Sequence, residues 1–215
     1  MKRITMTVLF LICAAVIFSQ EGVITELTGT VELKARGQTV FTPAKAGDPV
    51  ATDTIVSTGF KSTALVRVGS TLLTVRPLTR LSLSEIRSSA GTETINVSLQ
   101  TGRVRVDVSP PVGTRASMTV TSPMATASVR GTSFEFDTQS LTVLHGSVAF
   151  QGANGGVMQV DAGSASEINA NGRSADPAAA YAAALLPAPP LGAAGTANRG
   201  VSDSTGELVI RLRMK

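Results

Sequence analysis

Tryptophan is absent from this 215-residue sequence, tyrosine, histidine and cysteine occur once each, and aromatic residues make up 4% of the chain. Each shortage removes a class of function. The single cysteine, Cys13, lies in the apolar N-terminal run, so a chain processed after that run forms no disulfide even in an oxidising compartment. One histidine without cysteine does not assemble the usual ligand set of a zinc or copper site. Calcium needs clustered oxygen ligands, and no Asp-rich loop surrounds Asp48 and Asp53. No glycine loop has the spacing that cradles a phosphate, so neither a metal nor a cofactor is expected. A Ser-His-Asp arrangement would have to draw on His145 with Asp107 or Asp137, but His145 sits at a glycine turn and no nucleophile elbow or oxyanion motif is present. No pair of carboxylates stands out for glycosidic chemistry. The sequence therefore predicts no catalytic residues and no enzyme.

What is abundant is small, apolar and β-branched. Hydrophobic residues make up 43% of the chain, and 20 residues are glycine. Such a composition favours pleated sheets in thin layers. Lys2 and Arg3 precede an apolar run from Ile4 to Phe18, after which Ser19, Gln20 and Glu21 turn polar. That is the pattern of a cleaved secretory signal peptide over residues 1–20. The run is shorter than the roughly 20 apolar residues that span a bilayer, and no other stretch is long and apolar enough to do so. Ile12 stands where a lipoprotein signal has a small residue before its cysteine, so lipidation at Cys13 is not expected. The formal charge of +4 includes Lys2 and Arg3, leaving about +2 after processing. With so few stacking platforms, this weak bias excludes a nucleic-acid partner.

From residue 21 to 168 the text reads as strand after short strand. Ala64, Val66 and Val68 alternate with Leu65 and Arg67; Ile95, Val97 and Leu99 with Asn96 and Ser98; Val104, Val106 and Val108 with Arg105 and Asp107. Period-two alternation means one buried and one wet face. Turn signals separate the runs at Gly47-Asp48-Pro49, Val68-Gly69-Ser70, Thr101-Gly102-Arg103 and Asn154-Gly155-Gly156. Thr28-Gly29-Thr30-Val31, Thr101-Gly102-Arg103-Val104 and His145-Gly146-Ser147-Val148 echo one another as a glycine turn followed by a strand. Their unequal spacing rules out a regular short repeat and points to a rolled or stacked sheet with recurring corners. Residues 169–206 are rich in Ala, Pro and Gly. They suggest a short helix capped by Asp176 with Pro177 at its first position, then a proline linker. Residues 207–215 return to alternation, as a C-terminal strand that either joins the main sheet or is offered to a partner's edge.

From about Gly47 to Phe150 the chain carries an ordered series of motifs: Ser57-Thr58-Gly59, Ser62-Thr63-Ala64-Leu65-Val66-Arg67-Val68, Leu72-Leu73-Thr74-Val75 and Gly102-Arg103-Val104. Its most specific element is Val120-Thr121-Ser122-Pro123 followed by Val129-Arg130-Gly131-Thr132-Ser133-Phe134-Glu135-Phe136, and His145-Gly146-Ser147-Val148 closes it. In order and spacing this series resembles the FecR domain family. The resemblance implies an all-β, β-helix-like domain in the periplasm. In the family's best-known members that domain senses a signal from an outer-membrane receptor and passes it to a cytoplasmic sigma factor. Those members carry a cytoplasmic helical region and a transmembrane helix ahead of it. The segment ahead of it here is of signal-peptide type, so the expectation is an exported stand-alone module, not a sigma-factor regulator in itself.

In the Arg-Gly-Thr element Gly131 is suited to positive φ, Thr132 and Ser133 to bonding a turn's backbone, and Phe134 and Phe136 to the core. Arg130 is either a contact for an anionic ligand or partner, or a structural arginine that ties a corner together. Arg103 and Arg105 share a strand face. With Arg67, Arg76, Arg80 and Arg130 they form either a basic stripe or ordinary charge on exposed sheet. The candidate interaction residues are thus Arg130, Arg103 and Arg105. The expected partner is another cell-envelope protein at the periplasm or cell surface. The alternative is a small ligand or anionic glycan, for which Tyr181 is the sole Tyr or Trp platform.

Overall fold

The structure, a computed structural model, describes residues 21–89 and 91–177. Nearly all of its regular structure is strand. β1 (Gly22–Thr28) lies in a first sheet, β2 (Val31–Lys34) and β3 (Thr42–Pro43) in a second, β4 (Pro49–Val50) in the first, and β5 (Ile55–Thr58) in the second. The chain then lays hairpins in the two sheets by turns. β6 (Thr63–Val68) and β7 (Thr71–Val75) lie in the first sheet; β8 (Arg80–Ser89) and β9 (Thr92–Thr101) in the second; β10 (Arg103–Val108) returns to the first. β11 (Arg115–Thr121) and β12 (Ala125–Val129) follow in the second, and β13 (Ser133–Asp137) and β14 (Ser140–His145) in the first. β15 (Ser147–Gly152) and β16 (Val157–Asp161) lie in the second, and β17 (Ala165–Glu167) closes the first.

Both sheets are open. The first runs β17-β14-β13-β10-β7-β6-β1-β4 and the second β16-β15-β12-β11-β9-β8-β5-β2-β3. Pairing among these strands is antiparallel except between β9 and β11, which run parallel because β10 crosses to the other sheet between them.

One face of each sheet feeds a common core. The alternating residues of the sequence are the buried ones: Ala64, Val66 and Val68 in β6, Ile95, Val97 and Leu99 in β9, Val104, Val106 and Val108 in β10. Phe134 and Phe136 are fully buried, and the Phe136 ring meets Phe150 of the opposite sheet edge-to-face at 6.0 Å. Each such side chain contributes about 1.5–3 kcal/mol on burial. That sum fixes which face turns inward, since a slip of one residue would expose the whole set.

The glycine echo of the sequence marks places where the chain passes between sheets. Gly29, Gly102 and Gly146 adopt φ of 77°, 87° and 77°. Each packs against a buried hydroxyl residue, Ser62, Thr79 and Thr132 respectively. The residue before each hydroxyl is itself left-handed: Lys61 (53°), Leu78 (57°) and Gly131 (67°). The hydroxyls satisfy the backbone of the facing corner. Ser62 Oγ accepts from Thr30 N at 2.8 Å, Thr79 Oγ1 accepts from Arg103 N at 2.9 Å, and Thr132 Oγ1 donates to Ser147 O at 3.1 Å. The Arg-Gly-Thr element is therefore one instance of a corner used three times. Ser133 makes no comparable side-chain bond among the described residues.

The strand region ends at Glu167, and the chain then folds back. Ile168 bridges to Ser174, Ser166 Oγ donates to Ala175 O at 2.6 Å, and Gly172 approaches Gly152 closely. The start of the Ala/Pro/Gly-rich segment thus packs on the sheet through residue 175. Residues 1–20, the Ala-rich helix beyond Pro177, the proline linker and the strand at 207–215 lie outside the described residues. Among those described, no helix is long and apolar enough to cross a membrane.

Candidate functional site

The register of β10 against β13 sets Arg103 opposite Asp137 and Arg105 opposite Glu135 on the outer face of the first sheet. Arg76 follows β7 on the same side, its backbone N donating to Arg103 O at 3.0 Å. The side chains interlock: Arg76 to Glu135 at 3.1 Å, Arg103 to Glu135 at 3.4 Å, and Arg103 to Asp137 at 3.3 Å. Asp137 Oδ1 also accepts from Gln139 N and Ser140 N at 2.9 and 2.7 Å, which fixes the β13–β14 turn. Arg105 turns along its own strand to Asp107 at 3.1 Å. The hydrogen bond and charge of Asp107 hold the Arg105 guanidinium above its ordinary pKa, so it is charged at every pH the fold survives. These pairs are half-exposed and contribute little stability each, about 0–1 kcal/mol. Their effect is to hold a rigid surface of balanced charge.

That surface borders an open pocket of about 820 Å³ lined by Arg76, Leu78, Gly102, Arg103, Glu135 and Asp137, among others. Its rim carries Leu78, which is 60% exposed. Leu78 N donates to Gly59 O at 3.2 Å, next to Phe60, which is 73% exposed, with Lys61 Nζ 5.5 Å from its ring centroid. A leucine at φ 57° costs about 1–2 kcal/mol. The Thr79 bonds on either side hold it: Thr79 N donates to Thr58 Oγ1 at 3.0 Å, and Thr79 Oγ1 donates to Arg103 O at 3.0 Å. The corner thus spends backbone strain to present an apolar side chain to solvent beside an ordered ionic network.

Arg103 and Arg105 share this face, as their spacing requires. Arg130 does not join them. It lies just past β12, exposed, on the outer side of the second sheet. Arg80 is also in the second sheet, over the Phe41 ring at 5.3 Å. The six arginines of the candidate stripe are therefore split between two sheets, because consecutive hairpins go to opposite sheets, and on the first sheet they are interleaved with acids. Arg130 has a neighbour the sequence did not suggest. The antiparallel pairing of β11 with β12, Met118 opposite Val129, sets Arg115 at the same end of the second sheet, and both arginines line a pocket of about 510 Å³ with Thr92, Pro110, Ser117 and Gly131. Phe60 and Leu78 were also missed. The available signal was an apolar residue inside each of two turn segments, Gly59-Phe60-Lys61 and Pro77-Leu78-Thr79.

Residues 53–149 match the family model described as FecR protein. Two crystal structures of a candidate anti-sigma factor from Parabacteroides distasonis ATCC 8503, at 1.65 and 2.50 Å, are similar to part of this chain. Both are 17% identical, cover 56% of this chain and 57% of their own, and give TM-scores of 0.46 and 0.45. The chain thus spans a little over half the length of those structures. No curated protein matches it.

Proposed function

We propose that this chain, whose residues 53–149 carry a FecR domain, is an exported cell-envelope module that senses or scaffolds by binding another protein and catalyses nothing. The basic-then-apolar pattern of residues 1–20 supports export. The FecR match supports a regulatory or sensor role. The winding of hairpins between two sheets, with glycine corners reused, supports the rolled, β-helix-like character that the family implies. The observation that carries the contact surface is the exposed pair Phe60 and Leu78, the latter strained, beside the Arg76–Glu135–Arg103–Asp137 network. Exposed apolar anchors rimmed by ordered charge are how protein interfaces concentrate affinity.

Native electrophoresis of gently solubilised envelopes tests this. The wild-type chain should migrate in a complex larger than itself. Leu78→Asn, which tolerates the left-handed backbone and so keeps the fold, together with Phe60→Ser, should return it to its own mass with an unchanged melting temperature. Identical migration of the two forms, or migration of the wild type at its own mass, would count against the assignment.

A further inference from the structure

The pocket at the opposite end of the domain, on the other sheet, holds a second and chemically different site. Among the described residues, Arg36, Arg76, Arg87, Arg103 and Arg105 each lie in an ion pair, and Arg80 lies over an aromatic ring. Arg67, Arg115, Arg130 and Arg173 have neither, and of these Arg115 and Arg130 come together at one pocket. Gly131 keeps its floor low, since a Cβ there would touch nothing nearer than the Pro110 ring at 3.9 Å. Asp161, across the β15–β16 pair from Ser147, makes no ion pair with either arginine and accepts from Gln159 at 3.3 Å. Two unneutralised guanidiniums at one pocket present forked donors suited to a carboxylate, sulfate or phosphate.

The pocket does not end at the arginines. A trough of about 480 Å³ shares Arg130 and Ser117 with it and continues over Thr119, Ser128, Ser147 and Gln159. The strand register generates this floor. Ser117 stands opposite Thr94, Thr119 opposite Asn96 and Ser128, and Ser128 opposite Ala149. Small hydroxyl and amide side chains thus occupy adjacent strands about 4.8 Å apart. The floor is uncharged, whereas the outer face of the first sheet is ionic.

We infer that Arg115 and Arg130 anchor the acidic groups of an anionic polysaccharide, whose hydroxyls lie along the Ser117–Ser128 floor of the second sheet. The aromatic shortage sets the selectivity. A neutral sugar chain finds no ring to stack on, so the charged group must supply most of the affinity, and the floor distinguishes a sugar polymer from a bare polyanion. The site is independent of the Leu78 corner.

Calorimetric titration of the full chain with polygalacturonate, neutral dextran and polyglutamate decides it. Polygalacturonate should bind and dextran should not. Polyglutamate should bind about tenfold more weakly than polygalacturonate. Replacing both Arg115→Gln and Arg130→Gln should weaken polygalacturonate at least about tenfold, while Arg67→Gln, an exposed arginine outside the pocket, should leave it unchanged. The melting temperature of the double variant checks its fold, and Ser128→Val, which keeps both arginines, should still cost affinity several-fold. Absence of polygalacturonate binding, equal binding by the arginine variant, or polyglutamate binding as tight as polygalacturonate would each overturn the inference.

Discussion

Gly102 shows most sharply how single residues hold this domain in shape. It sits at φ 87°, and a Cβ there would lie 2.5 Å from Thr79 Cα and 2.7 Å from Leu78 O. Gly163 has a similar φ of 79° but faces open space. The strain of a left-handed alanine is common to both sites, about 1–2 kcal/mol, and the backbone collision belongs to Gly102 alone. Gly102→Ala should therefore destabilise by about 2 kcal/mol more than Gly163→Ala, read as the difference in denaturant midpoints at constant slope. Equal costs would mean that the corner relaxes freely. The repeated Thr-Gly and His-Gly turns were legible in the sequence as glycine corners. Their partners Ser62, Thr79 and Thr132 were not, because each lies 14 to 33 residues away from its glycine and is selected by packing between corners. Leu78 was hidden for a related reason: its exposure follows from a backbone conformation that no periodicity encodes.

At the scale of strands, alternation revealed the elements and their buried faces, including Ile95, Val97 and Leu99 in β9 and Phe134 and Phe136 in β13. It did not reveal which sheet each strand joins, because either sheet buries the same face equally well. The parallel β9–β11 pair and the separation of Arg130 from Arg103 and Arg105 both follow from that sheet assignment. Beside the corner hydroxyls, a carboxylate also ties the two sheets at their turns. Glu93, at the start of β9, accepts from Ser70 N at 3.1 Å and Ser70 Oγ at 2.6 Å, capping the β6–β7 turn of the opposite sheet. Glu93→Ala leaves that backbone donor without its carboxylate and should cost about 1–2 kcal/mol. Arg36→Ala, which removes an exposed ion pair with Asp53, should cost about 0.5 kcal/mol or less. Chemical denaturation of the two variants side by side separates a tie between sheets from ordinary surface charge, and equal losses would remove the special role of Glu93.

At the scale of the molecule, the two outer faces differ in chemistry although they cover one core. The first sheet presents an interlocked ionic lattice with an apolar corner, and the β11, β12 and β15 part of the second a hydroxyl floor with Arg115 and Arg130 at its end. The sequence disclosed the all-β architecture. The division of surface chemistry was not legible, because residues adjacent in the text, such as those of β9 and β10, end on opposite sides. The corner at Phe60 and Leu78 is the surface we propose receives a protein partner. The most direct test places a photo-reactive residue in living cells at Leu78, at Phe60 and, for comparison, at Thr126 on the outer face of the second sheet. A single defined cross-link to one other envelope protein from positions 60 and 78, absent from position 126, is the predicted result. Cross-links that are the same from all three positions, or none from 60 and 78 in a well-expressed chain, would contradict the account.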